Sequence, residues 1–206
     1  MAAGDMAERA GGEAGRYPEG QECGPHVMAR GLCLQLLSVA PRTRAELATA
    51  LDRRGVPENV AAEVLGRFAE VGLIDDVAFA NAWVESRHYS RGLARRVLAA
   101  ELRQRGVGDD EVRDAIGELD PQQEAATARR LVDAKLAASR GQPPRVRTRR
   151  LAGMLARKGY PAAMVFRVVR EALEQEGIDA DEAGLDESAE AALEAADASP
   201  DDAGLS

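Results

Sequence analysis

Leucine recurs in pairs four residues apart at three places along the chain: Leu47 with Leu51, Leu98 with Leu102, and Leu151 with Leu155. A spacing of four puts both members on one face of a helix. The segments that hold them, LATALDRRGV, LAAELRQRGV and LAGMLARKGY, align residue for residue, and a glycine follows each second leucine by four positions (Gly55, Gly106, Gly159). That glycine reads as a helix C-cap, because a residue without Cβ enters the left-handed region cheaply. Beyond it apolar residues resume at helical spacing: Val60, Val64 and Phe68, then Val112, Ile116 and Leu119, then Val165, Val168 and Val169. Pro57, Asp109 or Asp110, and Pro161 mark where these following helices start.

A further amphipathic stretch precedes each leucine pair. It carries Leu32, Leu36 and Leu37 in the first copy, Phe79, Ala80, Trp83 and Val84 in the second, and Leu131, Val132 and Leu136 in the third. Pro41, Arg91–Gly92 and the run from Gly141 to Pro144 break it from the pair, and Thr43 with Glu46 has the spacing of a capping box. No segment sustains period-2 alternation. The chain is therefore predicted to be all-α, with nine core helices in three tandem three-helix repeats of helix-turn-helix-like form, over 26–74, 75–120 and 121–177. Units this small bury little alone, so the apolar faces of neighbouring repeats are expected to close on one another in an elongated, curved stack. Trp83, four residues after Phe79, is expected in core or inter-repeat packing. Asp75 and Asp76 read as N-caps rather than metal ligands.

Composition narrows the class. Only 3% of the 206 residues are aromatic, so the core must be aliphatic. Two cysteines are too few to staple a chain of this size; Cys33, on an apolar helix face, and Cys23, in the leader, read as free thiols of a reducing cytoplasm. The first 25 residues lack an apolar signal core, and no run reaches the ~18 apolar residues of a membrane span, so neither export nor membrane insertion is expected. The P-loop, GxSxG, HExxH and paired CxxC patterns are absent. His26 and His88 lie in different repeats, away from Cys or carboxylate at ligand spacing, and read as surface residues. These features point to a monomeric binding protein with no catalytic residue, no cofactor and no metal.

The net charge of −8 hides a partition. Residues 1–25 hold five acids and two bases, and 174–206 hold twelve acids and no base, which leaves 25 bases against 18 acids, or +7, over 26–173. Both ends, 1–25 and 178–206, are expected to be disordered, although the pattern over Ser188–Ala196 also suits a short helix. Helix-turn-helix readers of duplex DNA carry base-contacting side chains on the helix after the turn. Here that helix is acidic in two copies, PENVAAEVLGRFAE and DDEVRDAIGEL. The bases lie instead on the middle helices and the turns that feed them. In the second repeat they are Arg87, Arg91, Arg95, Arg96, Arg103 and Arg105; in the third they are Arg145, Arg147, Arg149, Arg150, Arg157 and Lys158. Such a ridge suits a phosphate backbone or an acidic protein groove better than a base sequence. Tyr89 and Tyr160 are the nearest aromatics, too few for a base-stacking platform. A transcription regulator of the helix-turn-helix kind is the alternative reading.

One stretch adds a resemblance. From Val71 to Val107, VGLIDDVAFANAWVESRHYSRGLARRVLAAELRQRGV resembles the central signature of the RecX family, regulators of the recombinase RecA. It does so through the GLIDD turn (Gly72 to Asp76), Phe79–Ala80, the Arg87–Arg96 segment with Gly92, and the ELRQRGV ending. The similarity extends more loosely over 28–175 and leaves both tails out. The resemblance implies tandem three-helix repeats that bind RecA and lie in the groove of its filament on single-stranded DNA. It also implies suppression of ATP hydrolysis, strand exchange and coprotease activity, and so a role in recombination, repair and the SOS response. The ridge then faces RecA or DNA phosphate, and the acidic tail, foreign to the pattern, is placed to compete with DNA for it.

Overall fold

A computed structural model describes residues 24–184 of the chain. The leader with Cys23, and the stretch 188–196, lie outside the described residues. Three helices form each repeat: α1 (Pro25–Val39), α2 (Arg44–Asp52) and α3 (Glu58–Glu70); α4 (Asp76–Arg91), α5 (Arg95–Gln104) and α6 (Asp109–Gly117); α7 (Pro121–Leu136), α8 (Pro144–Arg157) and α9 (Ala162–Glu174). A 3-10 turn, Ala137–Ser139, extends α7, and a four-residue helix, α10 (Ala180–Ala183), follows α9. Among the described residues there is no strand, and no helix is long and apolar enough to cross a membrane.

Local chemistry sets these ends. Thr43 and Glu46 form the capping box, each side chain bonding the other's amide at 3.1 and 3.3 Å, and Asp75 caps α4 by accepting from the Ala78 amide at 2.8 Å. Gly55, Gly106 and Gly159 sit at φ +70°, +76° and +86°. The amide after each glycine donates to the second leucine's carbonyl, Val56 to Leu51, Val107 to Leu102 and Tyr160 to Leu155, each at 3.2 Å. This bond closes the last turn of the middle helix and starts the next one, identically in all three repeats.

The six paired leucines are at most 3% exposed, and burying each contributes roughly 2 kcal/mol. They fall into three separate cores. Leu47 and Leu51 pack with Cys33, Val64 and Phe68; Leu98 and Leu102 with Ala80, Val84 and Val112; Leu151 and Leu155 with Val132, Val165 and Val169. The expectation that neighbouring apolar faces close on one another is thereby corrected: each unit seals its own core, and only Ala94 of repeat 2 joins the core of repeat 3. Burial pushes the Cys33 thiol up from its ordinary value, as suits a packing residue rather than a reactive one.

What joins the repeats is polar. The C-terminus of α5 abuts the N-terminus of α2, where the Thr43 hydroxyl donates to the Arg105 carbonyl at 2.7 Å. The C-terminus of α8 abuts the N-terminus of α5 in the same way, with the Ala94 amide donating to the Lys158 carbonyl at 2.8 Å. A carboxylate from the first turn of the following repeat completes each joint: Asp76 accepts from the Arg44 amide at 2.9 Å, and Glu124 from the Arg95 amide at 3.1 Å. The middle helices thus run end to end, α8 into α5 into α2, with the first amides of α5 and α2 each bonded by a neighbouring repeat. Their 33 residues make a column of about 50 Å. The glycine turns allow the approach. A Cβ on Gly159 would stand 2.8 Å from Cγ2 of Val97, and one on Gly106 would overlap the Ala45 side chain, whereas Gly55 faces open space.

Two further expectations are revised. His88, read as a surface residue, is buried between repeats 2 and 3. Its Nδ1 lies 2.9 Å from the Leu93 carbonyl and its Nε2 3.0 Å from the Thr127 hydroxyl. Since the carbonyl can only accept, Nδ1 carries a proton. Residues 178–184, assigned to a disordered tail, fold onto repeat 3: Ile178 packs on its core and Ala183 is buried.

Candidate interaction surface

The twelve basic residues of the ridge do not share one environment. In repeat 2 most are engaged within the fold. Arg95 pairs with the buried Glu124 at 3.2 Å and donates to the Leu119 carbonyl. Arg103 pairs with Asp109 at 2.8 Å. Arg105 pairs with Glu46 across the joint, and its guanidinium lies 3.9 Å from the centre of the Trp83 ring. Arg87 also covers Trp83, at 4.0 Å. Arg91 and Arg96 are exposed.

Repeat 3 differs. Arg147, counted in the ridge by its place in the sequence, is buried. It pairs with Glu176 and bonds the Ser139 hydroxyl at 3.1 Å, tying α8 to the turn after α9. Hydrogen bonding from Arg147 is the main reason the Glu176 carboxyl sits below its ordinary range, with Arg140 adding to the effect. Lys158 reaches back to the Arg91 carbonyl. The remaining four, Arg145, Arg149, Arg150 and Arg157, are exposed and line an open cavity of about 610 Å³ with Val146. Among the described residues none of the four meets a carboxylate; Arg150 bonds the neutral Gln142 side chain at 2.7 Å. This surface has the uncompensated charge that phosphate or an acidic partner requires.

Of the two aromatics near the ridge, Tyr160 is closed to a ligand: its hydroxyl donates to the Gly92 carbonyl at 3.1 Å inside the joint, and burial pushes it up from its ordinary value. Trp83 is half-buried and stacks on Phe79 with ring centres 5.8 Å apart. Its Nε1 donates to Glu101 at 2.8 Å. The two rings form one wall of a groove of about 680 Å³ between repeats 1 and 2, whose other wall includes Leu37, Pro41 and the exposed Leu73. Sequence reasoning missed this groove. The available signal was Leu73, an apolar residue in a turn beside a buried Ile74.

In the second repeat the helix after the turn offers no competing nucleic-acid face. The first turn of α6 holds Asp109, Asp110 and Glu111, and its Arg113 is tied to Asp110 at 2.6 Å. No group of His, Cys, Asp and Glu among the described residues has a metal-binding arrangement. Fold and surface together define an all-helical tandem-repeat protein whose prominent site is a patch of arginine.

Comparison with known proteins takes the assignment further. Models of the RecX first, second and third three-helix domains match residues 29–68, 75–116 and 122–169 in turn. The regulatory protein RecX of Thermobifida fusca is 58% identical over 167 residues, spanning 80% of this chain and 90% of its own. That of Streptomyces coelicolor is 58% identical over 160 residues, 78% and 85% of the two chains. The chain belongs to the RecX family. Solved structures agree in fold: RecX from Lactobacillus salivarius superposes with a TM-score of 0.67 at 18% identity, over 71% of this chain and 96% of that one. A second regulatory protein RecX gives 0.63 at 25% identity, over 71% and 72%.

Proposed function

We propose that this chain is a non-catalytic regulator that binds the RecA recombinase and its filament on single-stranded DNA. It restrains ATP hydrolysis, strand exchange and coprotease activity, and acts in the cytoplasm as a monomer. The reading rests on the names of its relatives and on one observation above all, the exposed arginine surface along α8. A filament offers a helical groove with protein walls and phosphates at its floor. A column of about 50 Å lies along such a groove and touches successive subunits, so that individually weak contacts sum to tight binding.

Arg145, Arg149, Arg150 and Arg157, with Arg91, supply the contacts in this reading. Arg87, Arg95, Arg103, Arg105, Arg147 and Lys158 hold the repeats and their joints in place. Inhibition is steric: no bond is made or broken by the chain. An operator-reading regulator is disfavoured by the acidic first turn of α6.

The test is RecA ATPase activity on single-stranded DNA with the chain at substoichiometric ratio. Inhibition by the wild type, lost on changing Arg145, Arg149, Arg150 and Arg157 to Ser with the melting temperature unchanged, supports the reading. No effect on the ATPase and no binding to RecA, with or without DNA, sinks it.

A further inference from the structure

The residues after α9 repeat the opening of a unit. Gly177 has φ +79° where Gly72 has +73°, and the Leu173 carbonyl accepts from the Ile178 amide at 3.1 Å as Phe68 accepts from Leu73 and Ile74. Asp179 precedes α10 as Asp75 precedes α4 and Asp120 precedes α7. In the first two joints the opening of the next unit delivers a carboxylate to the first amide of a middle helix. At the third that amide is missing, because α8 begins with Pro144. The chain leaving α10 passes beside Arg145 of α8 instead. Gly184 shows the approach: a Cβ on it would lie 3.2 Å from Cγ of Arg145.

The chain beyond that point holds seven acids and no base in 185–206. Asp186 and Glu187 follow Gly184 by two and three residues, so even full extension keeps them within about 11 Å of it. Glu187, Glu190, Glu194 and Asp197 are spaced to share one side of a helix. Val146, 39% exposed between the arginines, offers an apolar contact for Leu185 or Leu193.

We propose that the acidic segment 185–206 docks on the surface formed by Arg145, Arg149, Arg150 and Arg157, and that phosphate must displace it to bind. The inference rests on the reading that this surface receives nucleic-acid or filament phosphate, and it adds a built-in competitor. A tether of a few residues gives the segment an effective concentration of order mM, enough for weak ion pairs to hold it. Salt, or a denser array of phosphates, releases it.

The experiment compares the wild type with a full-length variant in which Asp186, Asp197, Asp201 and Asp202 become Asn and Glu187, Glu190 and Glu194 become Gln. Backbone amide NMR shifts are expected to differ over residues 145–157, and binding of a labelled oligothymidylate is expected to tighten by about tenfold at low salt and converge at high salt. Identical spectra over 145–157, or differences confined to another face, overturn the docking. If the spectra change as expected but neither protein binds oligothymidylate or filament, the docking stands and the proposed function fails. If the spectra are identical while the arginine-to-serine variant loses binding, the proposed function stands and the docking falls.

Discussion

Repeats 2 and 3 look alike in sequence, each with arginines along its middle helix and flanking turns, and they use them in opposite ways. Residues 75–120 hold seven bases against ten acids, and 121–173 hold twelve against three. Repeat 2 lies between two joints, where Arg105 meets Glu46 and Arg95 meets Glu124, and its Arg103 meets Asp109 of the same repeat. Repeat 3 has a preceding neighbour only. Along α8, Arg145, Arg149 and Arg157 meet no carboxylate among the described residues, while Arg147, two residues from two of them, is turned inward onto Glu176. Charge counted along a chain therefore locates a candidate surface, but its availability depends on what the fold places across from it.

The contrast can be broken experimentally. The largest effect is expected at the joint between the two repeats: Glu124→Ala removes a buried carboxylate from Arg95 and should cost about 3 kcal/mol in urea unfolding. Arg147→Ala should cost about 2 kcal/mol by the same measurement, whereas the exposed Arg149→Ala should stay within about 0.5 kcal/mol and weaken filament binding instead. Equal stability losses from these two would erase the distinction between structural and available arginines. Next come the turns. Gly55→Ala and Gly106→Ala both force a side chain into the left-handed region, at about 1 kcal/mol; Gly106 should cost a further ~1–2 kcal/mol through its collision with repeat 1. Identical values would mean the column does not close as described.

A smaller and pH-dependent effect belongs to Glu176. Its carboxyl is held below its ordinary value, chiefly by the hydrogen bond from Arg147, so its stabilising contribution is complete above the ordinary carboxylate range and is lost as pH falls through the lowered value. The melting-temperature gap between the wild type and Glu176→Gln should accordingly be widest near neutrality and close in acid; a gap that persists there contradicts the assigned cause. Arg103→Ser, which breaks an exposed pair, should change stability by less than about 0.5 kcal/mol.

The three-helix repeats were legible because their signals are local. A leucine pair at spacing four, a glycine four residues on and a capping box each act within a few residues, where backbone geometry leaves few alternatives. Asp75 shows the same logic, capping the helix it precedes. Its neighbour Asp76 does not: it caps α2, 32 residues earlier, and nothing local distinguishes the two acids. Ala94, a poor N-cap by type, needs no capping side chain because Lys158 and Glu124 come to it across a joint. His88 was misplaced for a related reason, since the Thr127 that meets it in the buried joint lies 39 residues away.

The sequence by itself determined the helices, their three-fold repetition and the two acidic ends around a basic body, through periodicities of a few residues and the sign of charge. Only the tertiary structure decided that the cores stay separate, that the middle helices abut end to end, and which arginines remain open to a partner. Those outcomes depend on helix ends meeting across the chain, where a hydrogen bond or a carboxylate is either supplied by the neighbouring unit or not.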